Sequence, residues 1–98
     1  MRVRFTRRAL ADAKRMKTWW RRHRSKAEEL FEQELERALE AIATTPGLGS
    51  LYAQEGLEVE VRRLLMPKTR NYVYYAVTAT AVVVLTVWGA PKGRAPKF

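Results

Sequence analysis

Ninety-eight residues make one domain with room for a modest core, and 47% hydrophobic content suits a folded chain. The lack of cysteine excludes disulfides, thiolate nucleophiles and thiolate metal sites and suits a reducing cytoplasm, while one histidine, His23, leaves little imidazole chemistry. A net charge of +9 favours anionic partners, whether nucleic acid, an acidic protein segment or a membrane surface.

Charge is laid out in blocks along the chain. Residues 1–26 hold eleven Lys/Arg against Asp12 alone (+10). Here Val3–Phe5 alternates as a short strand, and Thr6 is placed to cap a helix. Ala9, Ala13, Met16 and Trp20 then recur at helical spacing, with Arg and Lys on the opposite face. The basic start is not followed by an apolar run, so no signal peptide is expected. Trp19 and Trp20 are adjacent, so at most one of them faces a core squarely; His23 reads as a solvated helix-end residue. Ser25 followed by Glu28 reads as a capping box that opens a second helix.

Residues 27–60 hold nine Glu against Arg37 (−8). Ala27, Leu30, Phe31, Leu35, Ala38 and Ile42 form one apolar stripe, and the Pro46/Gly47 turn stops the helix. A tight connection predicts an antiparallel helical hairpin, basic helix beside acidic helix. The charge blocks then serve either internal pairing or a partner; single surface pairs contribute only about 0–1 kcal/mol. Leu57–Leu65 alternates as a strand, placing Arg62 and Arg63 on opposite faces.

Residues 61–98 hold seven Lys/Arg and no acid (+7). Pro67–Asn71 turns the chain. Tyr72–Val77 and Val82–Trp88 are aromatic and β-branched strands; low charge over Asn71–Gly89 fits two strands better than a membrane span, and no membrane partner is expected. The order β-α-α-β-β-β predicts an α+β domain: a small twisted antiparallel sheet with the N-terminal helical hairpin on one face, and Val82–Trp88 as a central strand. The whole of 1–98 is one domain, with 90–98 a basic, flexible tail.

Individual residues admit competing readings. Arg62 or Arg63 either pairs with Glu58, Glu60 or a helix glutamate, or grips an acidic group on a partner. Tyr72, Tyr74 and Tyr75 read as sheet core with hydroxyls at the rim before they read as base-stacking platforms. Glu58 and Glu60 read as surface charges. The tail residues Lys92, Arg94, Lys97 and Phe98 are either a frayed end or part of a functional surface.

Taken in order, VRFTRRALADAKRM, the Phe31/Leu35 helix, TPGLG, VRRLLMPKTRNYVYYAV and VVVLTVWGAPKGR resemble the ParE/RelE superfamily of type II toxins, with the ParE branch the closer. The resemblance runs from Val3 to about Arg94. It implies a twisted sheet under two helices, and an antitoxin that wraps and neutralises the toxin, the two forming an oligomer. Growth arrest and plasmid stabilisation are also implied. So is one of two activities, DNA gyrase inhibition by binding or ribosome-dependent mRNA cleavage. Where RelE-like relatives place His or Tyr and Arg after the last strand, this chain has Gly89 and Ala90, with Arg94 late. The nuclease set is therefore incomplete, and the resemblance points to a non-enzymatic gyrase inhibitor with no cofactor and no metal. An mRNA interferase using Arg62, Arg63, Lys92 and Arg94 is the alternative, and an inactive antitoxin-binding relative is a third. Target-binding residues implied are Arg62, Arg63, Lys92, Arg94, Lys97 and Phe98; antitoxin-binding residues implied are Trp19, Trp20, Arg21, Tyr72 and Trp88.

Overall fold

A computed structural model describes residues 1–53, 56, 58–89 and 95–98. The chain runs β1 (Arg2–Phe5), α1 (Arg7–His23), a 3₁₀ turn (Ser25–Ala27), α2 (Leu30–Thr44), β2 (Ser50–Leu51), β3 (Val61–Met66), β4 (Asn71–Val77) and β5 (Ala81–Gly89). Five strands form one sheet in the order β1-β5-β4-β3-β2. The α+β class with two helices on the sheet is as expected, but the sheet is mixed. β1 lies parallel to β5, with Arg2 beside Ala81 and Phe5 beside Val84, while the other pairs are antiparallel. The reason is the crossover: the chain leaves β1, passes through both helices and three strands, and returns alongside it. β5 is interior, although β4 is the middle strand.

Thr6 caps α1 as expected, its hydroxyl accepting the Ala9 N–H at 3.0 Å. The same hydroxyl donates to Leu85 O at 3.1 Å. That carbonyl belongs to a β-bulge, because Tyr74 pairs with Thr86 but Tyr75 pairs with Val84, leaving Leu85 extra. One side chain thus ties a helix start to an irregular strand.

The expected capping box at Ser25 does not form. Ser25–Ala27 is a 3₁₀ turn and α2 starts only at Leu30, with no side-chain cap at Glu29. The strand expected from Leu57 is confined, within the described residues, to Val61–Met66; Leu57 itself lies outside them. Ser50–Leu51 adds a short edge strand to β3 that sequence did not suggest.

Helix α1 packs against β5 and α2 against β3. Between helices and sheet lie Ala9, Phe31, Ala38, Ile42, Met66, Val73, Tyr75, Val82, Val84 and Val87, joined by half-buried Phe5, Met16, Trp20, Leu35 and Leu64. Two carboxylates enter this layer. Asp12, buried, accepts from the fully buried Thr86 hydroxyl and from Arg15. Glu34, also buried, takes the Lys68 N–H at 2.8 Å, the Thr69 N–H at 2.9 Å and the Thr69 hydroxyl at 2.6 Å. Glu34 therefore fastens the β3–β4 turn to α2, a turn in which Arg70 sits at φ 59°. Complementarity between the helices comes to one ion pair among the described residues, Lys17 to Glu32 at 2.6 Å.

Candidate functional site

Strand alternation sorts β3 and β4 into two faces. Leu64, Met66, Val73 and Tyr75 turn towards the helices. Arg63 and Tyr74, paired across the strands, and Tyr72, paired with Trp88, turn to the uncovered face. The two adjacent arginines therefore have different work.

Arg62 lies on the helix side of the rim. Its Nε donates to Glu60 Oε2 at 2.8 Å, and its Nη1 donates to Gly49 O at 2.7 Å and Gly47 O at 3.2 Å. The Tyr75 hydroxyl holds the same loop, donating to Pro46 O and accepting from the Gly49 N–H, both at 2.8 Å. Burial raises the Tyr75 phenol above its ordinary value, against the pull of the Gly49 N–H. Arg62 is thus a loop staple, and it pairs with Glu60.

Arg63 stands on the uncovered face. Its guanidinium carbon is 4.6 Å from the Tyr72 ring centre, and Nη1 makes a long 3.4 Å contact to the Tyr74 hydroxyl. That Tyr74 contact is the main cause raising Arg63 above the ordinary arginine range, against desolvation, so the charge is permanent. Tyr74 is only 1% exposed yet outside the helix-side core. It is covered by Tyr52 (ring centres 5.0 Å apart), Tyr72 (6.0 Å) and Phe98 (5.7 Å).

The last four residues pack on this face. Pro96 is fully buried, its carbonyl accepting the Tyr52 hydroxyl at 3.0 Å. Arg8, from the first turn of α1, donates to Lys97 O at 2.8 Å and lies 5.5 Å from the Phe98 ring and 5.8 Å from the Trp88 ring. Residues 90–94, and with them Lys92 and Arg94, lie outside the described residues. Phe98 retains 39% exposure, enough to present an edge to a partner.

The site so built joins residues assigned to two roles from sequence: Arg63 and Phe98 with Tyr72 and Trp88. Tyr52 and Arg8 belong to it and were missed, because nothing local marks them. Trp19, Trp20 and Arg21 sit elsewhere, at the end of α1. Trp20 packs on the core. Trp19 is 45% exposed, stacked on His23 at 4.7 Å with Arg24 at 5.9 Å. Among the described residues no group of three acidic or imidazole side chains could hold a metal, and no helix is long and apolar enough to cross a membrane.

Comparison with known proteins bears directly on this fold. The chain is similar in structure to a chain of a chromosomal ParDE TA system from P. aeruginosa, with TM-score 0.72 at 18% identity, over 91% of this chain and 95% of that one. It is also similar to a YoeB/ParE toxin from Agrobacterium tumefaciens, with TM-score 0.57 at 17% identity, over 91% and 98% of the two chains. No curated protein sequence matches it significantly. At such identities the likeness carries the fold, whereas the family comes from the sequence itself. Residues 3–90 match the family described as ParE toxin of type II toxin-antitoxin system, parDE, and the chain belongs to that family.

Proposed function

We propose that this chain is a toxin neutralised by a cognate antitoxin, and that it acts by binding DNA gyrase rather than by cutting RNA. The observation carrying this reading is the make-up of the uncovered face. Arg63, Tyr72, Tyr74, Trp88, Phe98 and Arg8 bring guanidinium and aromatic groups together, and none of these six side chains is an imidazole or a carboxylate. Those are the groups that most often accept a proton in catalysis near neutral pH. Arginine, tyrosine and tryptophan are instead the residues over-represented at protein-binding hot spots.

Purified toxin should inhibit gyrase supercoiling at micromolar concentration or below. Arg63→Gln and Tyr72→Ala should each weaken inhibition by at least about tenfold, the effect of losing one hot-spot contact. Co-expressed antitoxin should copurify with the toxin and relieve growth arrest. Ribosome-dependent cuts in translated mRNA without gyrase inhibition would replace this reading with the interferase one. Expression without growth arrest would leave an antitoxin-binding module.

A further inference from the structure

Helix α1 carries a repeat of which the site on the sheet uses only Arg8. Basic pairs recur every seven residues, at Arg7-Arg8, Lys14-Arg15 and Arg21-Arg22, and all six are exposed. A seven-residue step is nearly two turns, so the pairs stack as two parallel rows, about 10.5 Å apart along the axis. On the midline between the rows stand the small residues Ala11 and Thr18, both exposed, while exposed Leu10 and Trp19 flank the rows on either side. Two rungs are partly engaged, Arg15 with Asp12 and Arg8 with Lys97 O. The side chains of Arg7, Lys14, Arg21 and Arg22 make no ion pair or hydrogen bond among the described residues. Lys17, on the shoulder towards α2, is matched by Glu32, so the acidic helix lies beside the ladder rather than under it.

We propose that this face of α1 binds the phosphate backbone of duplex DNA without regard to sequence. Protein partners are held through large apolar anchors ringed by polar groups; here Ala11 and Thr18 hold the midline, and the exposed Trp19 lies to one side of it, stacked on His23. A helix with side chains is about 10–12 Å across, matching a major groove about 12 Å wide. Small residues along the midline let the helix sit deep; the row Arg7, Lys14 and Arg21 then faces one phosphate wall and Arg22 faces the other, giving four phosphate contacts. A basic stripe on one helix, in a chain of net charge +9 and pI about 10.5, is the electrostatic footprint of nucleic-acid binding. The proposal stands apart from the gyrase reading, since binding of purified toxin to DNA needs no gyrase.

The test is fluorescence anisotropy with a labelled random-sequence duplex of about 20 bp, titrated with toxin between about 50 and 200 mM salt. Four phosphate contacts predict a log–log salt slope near −3.6, so affinity should fall about 150-fold over that range. The triple variant Lys14→Gln/Arg21→Gln/Arg22→Gln should cut the fall to about threefold to fourfold. A control with equal charge loss, Arg2→Gln/Arg4→Gln/Lys68→Gln, should keep the wild-type slope. Both variants change exposed residues, and unchanged circular dichroism melting confirms that they fold. Equal loss in both variants would reduce the effect to net charge and overturn the ladder. So would failure of wild-type toxin to bind DNA at low salt while the triple variant loses affinity for antitoxin or gyrase, which would make the face a protein-docking surface.

Discussion

Replacing Glu34 by Gln tests the bond between α2 and the turn that sets β3 against β4. The carboxylate gives one oxygen to the Lys68 N–H and the other to the N–H and hydroxyl of Thr69. A glutamine keeps a single acceptor oxygen. With that oxygen on Thr69, its NH₂ confronts the Lys68 N–H, donor against donor. Hydrogen bonds to a charged group contribute about 1.5–3 kcal/mol each, and an orphaned donor costs about 1–3 kcal/mol. Lys68 is exposed, and water can take over its N–H. The expected loss is therefore towards the low end, about 2 kcal/mol. In a domain of this size that lowers Tm by about 8–16 °C. Urea unfolding at pH 7, followed by circular dichroism, should show a lower midpoint with an unchanged m-value. Glu36→Gln, on the exposed side of α2, is the control and should stay within about 0.5 kcal/mol. If Glu34→Gln also stays within that margin, the turn is held by something other than this carboxylate.

Three further outcomes follow from the same geometry. Burial favours the neutral Tyr75 phenol in the folded state, so its contribution to stability is intact below the ordinary tyrosine value of 10.0 and falls as pH rises through the folded value. Tyr75→Phe should therefore flatten the alkaline limb of the stability–pH curve, though it is less stable at pH 7 by about 1–3 kcal/mol; an unchanged limb refutes the assignment. Asp12→Ala and Thr86→Val should be coupled in a double-mutant cycle by about 1–3 kcal/mol, because Asp12→Ala removes the acceptor of the buried Thr86 hydroxyl and Thr86→Val removes the donor to one Asp12 oxygen, the other staying with Arg15; additivity would contradict the buried contact. A Cβ at Gly49 would stand 2.7 Å from Arg63 O and 2.7 Å from the Tyr75 hydroxyl. Gly49→Ala should accordingly destabilise by about 1–3 kcal/mol and release the loop that Arg62 holds, measurable as faster amide exchange at Ser50; wild-type stability and exchange would show that the loop yields freely.

Local pattern carried much of the fold. The Thr6 cap, the Phe31–Ala38–Ile42 stripe and the β-branched runs of β4 and β5 each follow from spacing or residue type alone. What local pattern could not reveal were partners across the chain. Nothing near Arg2 announces Ala81, so the parallel pairing of β1 was invisible. Nor did local pattern reveal that Ser25–Ala27 would form a 3₁₀ turn in place of the capping box, with α2 starting only at Leu30. Asp12 and Glu34 did leave a trace: each falls within the apolar stripe of its helix, beside Ala9 and Phe31 respectively. A carboxylate in such a place must find donors elsewhere, and both do. In the candidate site, strand alternation separated Arg62 from Arg63, but only the three-dimensional path brought Arg8, Tyr52 and Phe98 to the same face.

The parallel pairing of β1 with β5 also sets a timetable for the nascent chain. β1 is made first and β5 last of the strands, and β5 fills the gap between β1 and β4. Until β5 has emerged from the ribosome, β1 has no neighbour in the sheet, and the apolar stripes of both helices have only part of a floor to cover. Closure over so long a loop makes folding a late, comparatively slow event. Any partner that recognises the assembled sheet must therefore wait until β5 has emerged, whereas one that recognises α1 or α2 can engage the chain earlier in translation.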